Sequence, residues 1–197
     1  MRKGQTTKEN IVSKAATLFN TRGYAGSSVS DLMAITGLKK GGIYNHFSNK
    51  EEILLEAFDY AFGQVNQAVT DVIKSHYTAT DKLKAVLNFY RDYALDPVIQ
   101  GGCPIANATV EADDTNPQLS QRVQAAIQAW ISGLTTVLNR GIRRGEFRAD
   151  LDVENAAIRI ISQIEGGVML ARAFNDNKYM TMIVDQLLEY VDREIVI

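Results

Sequence analysis

Apolar residues recur at the three- and four-residue spacing of an α-helix through almost the whole chain. The first such stretch, about residues 7–22, ends at Gly23. A second, about residues 51–76, opens with a predicted capping box of Ser48 and Glu51 and, if unbroken, is roughly 39 Å long at 1.5 Å per residue. Further helices are predicted at about 81–95, 104–112, 117–143, 152–174 and 178–195. No segment sustains the two-residue alternation of a strand, so the pattern predicts an all-α fold.

The segment from Ser27 to Lys50 carries more specific signals. Ser28 and Asp31 have the spacing of a capping box, which predicts the start of a short helix. Gly37 ends that helix, because glycine readily takes the left-handed conformation of a sharp turn. The next helix, about residues 40–47, is crowded with hydrogen-bond donors. Two helices joined by a glycine turn, the second rich in donors, are typical of a DNA-reading helix-turn-helix.

Residue types and spacing around this segment resemble those of the tetracycline-repressor (TetR) family, over about residues 7–55. The residues that carry the resemblance are Ala15, Leu18, Phe19, Gly23, Tyr24, Ser28, Val29, Ile35, Gly37, Gly41, Ile43, Tyr44, His46, Phe47, Lys50 and Glu51. The resemblance implies a three-helix DNA-binding domain over residues 1–50 and a helical ligand-binding and dimerisation domain over residues 51–197. It implies a ligand-responsive regulator, a repressor that a small-molecule inducer of unknown identity releases from a palindromic operator.

The sequence departs from the family pattern at two positions of the second helix of this motif. Lys39 stands where the family usually has a capping serine or threonine, which predicts a differently capped helix. Gly42 stands where the family usually has threonine, serine or alanine, so one side-chain contact with DNA is lost.

Charge is unevenly distributed along the chain. Residues 1–50 contain eight Lys and Arg against two Asp and Glu, a net charge of +6, whereas the remainder contains 13 against 21, a net charge of −8. The two values give the formal net charge of −2. A basic end attracts phosphate, and an acidic body keeps the rest of the molecule away from a polyanion. An accidental asymmetry of a solvated surface is the alternative interpretation.

Other classes of protein are disfavoured by what the sequence contains. The start lacks the apolar core of a signal peptide, and no apolar run is long enough to span a bilayer, so a cytoplasmic location without membrane contact is predicted. A single cysteine and two histidines predict neither a disulfide framework nor a metal site. No cofactor is predicted, since no glycine-rich phosphate loop is present.

DNA contacts are predicted at the second helix of the motif and its flanks. Lys40, at the start of this helix, is suited to phosphate, and Gly41 would allow a close approach to DNA. Asn45 is the candidate for reading a base edge, because its amide can pair with adenine. The alternative for Tyr44 is half-buried packing on the first helix. The predicted DNA-binding residues are Ser28, Lys39, Lys40, Gly41, Gly42, Tyr44, Asn45, His46 and Lys50.

The carboxyl-terminal region is predicted from the resemblance to hold the dimer interface and the ligand. A homodimer would form through the helices near 152–174 and 178–195, on which small and branched residues such as Ala157 and Gly167 would allow close contact. Dimerisation is favoured because two recognition helices can occupy successive major grooves of an inverted-repeat operator in double-stranded DNA. The candidate ligand-binding residues are Phe62, Phe89, Tyr93, Cys103, Asn107, Trp130, Gln163 and Gly166, and core packing is the alternative for each.

Cys103 supports an alternative function. Cys103 and Pro104 are predicted at the start of a helix, where backbone amides stabilise a thiolate, so a redox- or electrophile-sensing regulator is possible beside a simply packed cysteine. A helical enzyme using Cys103 and His76 is disfavoured, because no motif brings them together and no catalytic residues are recognised. A purely structural helical bundle would leave the basic helix-turn-helix unexplained.

Overall fold

The computed structural model describes residues 3–112 and 116–197, so Arg2, which contributes to the predicted basic region, lies outside the described residues. The helices, in chain order, are α1 (Lys3–Arg22), α2 (Val29–Thr36), α3 (Lys40–Tyr44), α4 (Lys50–Lys74), α5 (Ala79–Phe89), α6 (Pro104–Ala112), α7 (Pro117–Arg143), α8 (Val153–Phe174) and α9 (Lys178–Tyr190). A π-helical turn over Val191–Ile195 follows α9. The described chain confirms the all-α prediction, with an isolated bridge between Phe147 and Val196. Within these described ranges, no helix has both the length and the apolar character needed to cross a membrane.

Capping explains where the first helices begin. At α2 both halves of the predicted box are present: the Asp31 amide donates to Ser28 Oγ (3.1 Å) and the Ser28 amide donates to Asp31 Oδ2 (2.7 Å). Gly37 ends α2 in the left-handed conformation, with φ of 73°. Hydrogen bonds from the Ser28 hydroxyl and then from the Ser28 amide hold the pKa of the Asp31 carboxyl below its ordinary value. The cap therefore persists at neutral pH and is lost only as acid protonates this group.

Several predicted helix limits are wrong by a turn or less. The box predicted for α4 is displaced by one residue, because the Glu52 amide donates to Asn49 Oδ1 (2.8 Å) and the Glu52 carboxylate accepts from the Ser48 amide (2.6 Å). The helix predicted over 40–47 ends at Tyr44, where the His46 amide turns back to the Ile43 carbonyl (3.0 Å). Such tight last turns are common at helix ends.

Two helices predicted further along the chain are also shorter than expected. The helix predicted over 81–95 ends at Phe89, after which the Tyr93 amide donates to the Tyr90 carbonyl (3.2 Å) in a series of turns. The helix predicted over 178–195 changes at Val191 to the wider π-helical turn. The predicted limits 104–112 and 117–143 are those of α6 and α7.

The chain forms two compact units. Unit one consists of residues 1–65 and 99–125, and unit two of residues 66–98 and 126–197, each counted over its described residues. The core of unit one includes Ile11, Leu32, Ile43, Ile53 and Leu119, all essentially inaccessible to solvent. The domain boundary at residue 50 stays a prediction. It separates the predicted DNA-binding part from the predicted ligand-binding part, whereas the two units are defined by which residues pack together.

Unit two is built on close apolar packing. Its core includes Leu83, Leu87, Leu138, Ile160, Ile164, Met180 and Val184. Gly167 lets α8 approach α9, because a Cβ there would lie 2.9 Å from Met180 Sδ and 3.3 Å from Ile183 Cβ. Small residues on α8 therefore serve packing within one chain.

A pair of glycines in α7 tests how tightly unit two is packed. A Cβ at Gly141 would overlap the ring of Phe147, which is buried, whereas a Cβ at Gly133 meets no atom within 4 Å. We expect Gly141→Ala to lower the free energy of unfolding by about 1–3 kcal/mol through overpacking. Gly133→Ala, in the same helix, should raise it by up to about 1 kcal/mol through helix propensity. Urea denaturation of both variants would measure these changes, and equal effects would contradict the packing described.

Candidate nucleic-acid interface

The helix-turn-helix of unit one is held from the inside. Leu32 of α2 and Ile43 of α3 are fully buried, and Phe47 is buried immediately after α3. The Thr36 hydroxyl donates to the Leu32 carbonyl (2.6 Å) and accepts from the Leu38 amide (3.3 Å). The connection between α2 and α3 is thus fixed by a buried hydroxyl as well as by Gly37, and the opposite side of α3 is left for solvent.

The outward side of α3 presents most of the predicted DNA-binding residues. Lys39, Lys40, Gly41 and Asn45 are exposed. Gly42, Tyr44 and His46 are half-buried. No side-chain hydrogen bond caps α3 at Lys39, in line with the predicted departure from the usual cap. The two lysine ammonium groups, the Asn45 amide and the backbone at Gly41 are therefore accessible on one short segment.

Most basic side chains of unit one are already engaged. Lys8 pairs with Glu56 (2.6 Å), and Arg22 with Asp31 (3.3 Å). Lys14 donates to the Ile35 carbonyl (2.7 Å). Among the residues that the structure describes, no carboxylate lies within 4 Å of the ammonium group of Lys39 or Lys40. These two lysines are the cations best placed to bind an external anion.

Lys50 was predicted to bind DNA, but its ammonium group is engaged within unit one. Its Nζ donates to the Tyr24 carbonyl (2.6 Å) and lies 3.9 Å from the centre of the Tyr24 ring. Burial lowers the pKa of Lys50, and the nearby carboxylates of Glu111 and Asp31 act in the opposite direction. A contact of Lys50 with DNA stays a prediction.

Gly41 and Gly42 have helical backbones that other residues could adopt. A Cβ at Gly41 would meet no atom within 4 Å, and one at Gly42 would make only ordinary contact with Leu38 at 3.6 Å. Neither conformation nor internal crowding therefore requires glycine at these positions. Each glycine weakens the helix by about 1 kcal/mol relative to alanine. The packing of unit one therefore does not account for these two glycines.

The other predicted DNA-binding residues have mixed surroundings. Tyr44 is half-buried, as its alternative interpretation required, and Lys40 Nζ lies 5.9 Å from the centre of its ring. The exposed Ser28 hydroxyl donates to Asp31 Oδ2 (2.6 Å), so its main role here is the α2 cap. His46 lies near the start of α1, where a Cβ at Gly4 would be 3.8 Å from its ring.

The candidate ligand-binding residues are divided between the units. Phe62, Cys103 and Asn107 belong to unit one, and Phe89, Tyr93, Trp130, Gln163 and Gly166 to unit two. In unit one, Cys103 is buried, and Asn107 is held by hydrogen bonds to neighbouring backbone. The amide of Asn107 is therefore engaged in the fold.

Unit two contains an aromatic cluster that the sequence predicted only in part. The ring of Tyr90 stacks on Trp130 with centroids 5.8 Å apart and meets Tyr93 at 5.2 Å and Phe89 at 5.0 Å. Tyr90 was missed, although its position between two candidates in one helical turn was a usable signal. Gln163 lies instead in a polar cleft of about 310 Å³, with Arg159, Gln186, Glu189, Tyr190, Arg193 and Glu194.

The outer faces of α8 and α9 differ from the predicted dimer surface. Ala157 and Gly167 are buried against neighbouring elements of the same chain, so the expectation that these small residues meet a partner is wrong. The large apolar side chains exposed on these helices are Ile158 (49%), Met169 (65%), Phe174 (63%) and Met182 (55%). They are the residues available for a contact between copies.

Known proteins resemble this chain in both sequence and structure. The family model described as Bacterial regulatory proteins, tetR family, matches residues 11–57, and the model described as Tetracyclin repressor-like, C-terminal domain, matches residues 79–187. The Fatty acid metabolism regulator protein of Bacillus subtilis (strain 168) is 31% identical over 170 residues, which cover 86% of this chain and 84% of that protein.

Two solved structures are similar over nearly their whole length. A TetR transcriptional regulator from Chloroflexus aurantiacus J-10-FL has a TM-score of 0.96 and 44% identity, with 100% of both chains covered. A TetR family regulator from Cytophaga hutchinsonii has a TM-score of 0.92 and 34% identity, covering 100% of this chain and 98% of that one.

Proposed function

We propose that this chain, which belongs to the TetR family of bacterial transcriptional regulators, is a repressor that leaves its operator when a small molecule binds. The observation that supports this DNA-binding surface is that two exposed lysines, Lys39 and Lys40, stand next to two glycines that the fold does not require. A surface that combines cations with accessible backbone fits a phosphate chain, because the cations supply affinity and the bare backbone allows contact.

Roles on this surface follow from chemistry. Lys39 and Lys40 bind backbone phosphates, and Gly41 and Gly42 allow α3 to approach the DNA. Asn45, exposed at the end of α3, reads a base edge through its amide. Tyr44 and His46, both half-buried, position phosphate from beside the helix, while Ser28 and Lys50 act mainly by holding the motif together.

The regulator is proposed to act as a homodimer through the exposed faces of α8 and α9. The self-complementary surface of a two-fold dimer needs apolar residues that remain accessible in one chain, and Ile158, Met169 and Met182 meet this condition. The two copies would place their α3 helices about one turn of DNA, roughly 34–36 Å, apart on an inverted repeat.

The ligand is proposed to bind in unit two against the aromatic cluster. Phe89 and Trp130 are half-buried and present the accessible part of the cluster, backed by the buried Tyr90 and Tyr93. Aromatic faces suit apolar or cationic molecules. Cys103 is buried and nothing favours a cysteine-based sensor. The regulator acts on DNA in the cytoplasm and catalyses no reaction.

Replacing the two lysines tests the DNA surface. Lys39→Ala and Lys40→Ala should each weaken binding to all sequences and lower the slope of log affinity against log salt by about one, since each removes one phosphate contact. Asn45→Ala should relax preference at one base position instead. Fluorescence anisotropy over a salt series would measure this, with Lys74→Ala, an exposed lysine of unit two, as control. Salt slopes like that of the parent would rule out the proposed surface.

Replacing glycine by alanine separates folding from DNA binding. Gly41→Ala and Gly63→Ala both add a Cβ into open space on an exposed helix, so each should raise the free energy of unfolding by up to about 1 kcal/mol. Only Gly41→Ala should weaken DNA binding, because only α3 approaches the duplex. Thermal denaturation and anisotropy together measure both effects. Unchanged affinity in Gly41→Ala would show that close approach is not the reason for the glycine.

Introducing a charged residue on the outer face of α8 or α9 tests whether the dimer forms through these helices. Met169→Lys and Met182→Lys should dissociate it, because each places like charges near the two-fold axis and removes apolar contact. Sedimentation velocity at micromolar concentration should show a dimer for the parent and a monomer for the variants. Leu95→Lys, at another exposed apolar residue of unit two, should stay dimeric. A monomeric parent, both free and with DNA, would contradict the proposal.

A further inference from the structure

Helix α6 packs as part of the DNA-reading unit, although the C-terminal family model covers it. Residues 99–125, which include α6, belong to unit one together with α1, α2 and α3. The contacts that join α6 to this unit include hydrogen bonds that the Asn107 side chain donates and others that the Glu111 carboxylate accepts. We propose that Asn20, Asn107 and Glu111 form a latch, the α6 latch, whose α6 members are positioning residues for DNA binding. The inference rests on the proposed function and specifies how α6 takes part in it.

Glu111 holds the turn between α1 and α2. Its carboxylate accepts from the Tyr24 amide (2.7 Å) and the Ala25 amide (3.2 Å). At Gly23, where φ is 76°, a Cβ would lie 2.6 Å from Glu111 Oε1. Lys50 of α4 donates to the carbonyl of the same Tyr24 (2.6 Å). In the backbone that leads into α2, the amides of Tyr24 and Ala25 thus donate to α6, and the carbonyl of Tyr24 accepts from α4.

The end of α1 is bound to α6 by a second set of bonds. The Asn107 side chain donates to the Asn20 carbonyl (3.0 Å), to Asn20 Oδ1 (2.9 Å) and to the Gly101 carbonyl (2.9 Å). The Asn20 side chain in turn donates to the Gln100 and Gly102 carbonyls, each at 3.0 Å. A Cβ at Gly101 would overlap the Asn20 carbonyl, so glycine is required for this approach.

A small void lies beside these bonds. It has a volume of about 30 Å³ and is lined partly by Ala16, Phe19, Asn20, Asn107, Ala108 and Glu111. The space holds about one water and is too small for an organic ligand. Apolar packing around α1 and α6 therefore leaves a gap here, and polar bonds join the two helices beside it. Hydrogen bonds to a carboxylate are strong but depend on alignment, so a displacement of α6 would break them.

The latch couples the position of α6 to the position of the DNA-reading helices, so that one cannot change without the other. Whatever stabilises one arrangement of α1 and α2 must then stabilise the matching arrangement of α6, because linkage is reciprocal. Binding of DNA should therefore slow the opening of α6, although α6 contributes no proposed DNA contact. This effect can be measured without knowing the inducer.

Hydrogen–deuterium exchange of the full chain tests the latch, with the probe being duplex DNA that the protein selects from a random library. In the parent, saturating DNA should slow exchange of the amides of residues 106–112 by about fivefold or more, a usual size for coupling between sites. Glu111→Gln, which removes the charge and one acceptor, should reduce this factor to below about twofold. Asn107→Ser is an independent second variant that removes the other set of bonds.

Glu146→Gln is the matched control. The Glu146 carboxylate also accepts a backbone amide, that of Thr80 (2.8 Å), but it does so in unit two. In this variant, DNA should slow amide exchange in residues 106–112 by the same factor as in the parent. A purely structural role of Glu111 would speed exchange with and without DNA alike and leave the factor unchanged, which would overturn the latch.

The remaining outcomes separate the latch from the proposed function. If the parent binds DNA and shows no slowing in α6, the latch is wrong and the regulator stands. If no duplex is selected at any salt concentration, the proposed function itself fails. If both Glu111→Gln and Asn107→Ser lose the factor while circular dichroism shows parental helicity, the latch is supported.

Discussion

A helix of five residues cannot keep its shape in water by its own hydrogen bonds, and α3 is such a helix. Its conformation depends on the burial of Ile43 within it and of Phe47 just after it. Because those two side chains fix α3 from inside, the exposed residues Lys39, Lys40, Gly41 and Asn45 are not needed for the core. Glycine can then stand at two successive positions of a helix that would otherwise be too weak to form, and the proposed DNA-binding surface depends on that freedom.

The same division between structural and available groups appears in the basic residues. A count of charges does not distinguish between the cations of the first 50 residues. In the structure, however, Lys8, Arg22 and Lys50 are engaged within unit one. Their charge still contributes to a positive potential that attracts DNA over several ångströms. Direct phosphate contacts need a group that gives up no internal partner, and this requirement favours Lys39 and Lys40. The net charge of the first 50 residues is thus typical of a DNA-binding segment, and the surroundings of each lysine are the basis for proposing Lys39 and Lys40 as the phosphate contacts.

Local signals in the sequence were sufficient for much of the fold. The capping box at Ser28, the turn at Gly37 and the limits of α6 and α7 depend on neighbouring residues, and all were predicted. The register of the α4 cap was not, because Glu51 and Glu52 are both suitable partners and only the helix start decides between them. Contacts between distant segments, such as Glu111 with Tyr24, leave no periodic trace, so the assignment of α6 to unit one could not be predicted.

The two kinds of packing in this chain suit two different duties. Between α8 and α9, Gly167 allows a continuous apolar contact, which is non-directional and changes gradually when helices shift. Between α6 and the turn after α1, a carboxylate meets two backbone amides beside a small void, and such bonds are either aligned or broken. An interface of the first kind suits a permanent scaffold. An interface of the second kind suits a switch, because a switch between binding and releasing DNA requires contacts that can be made in one arrangement and lost in another.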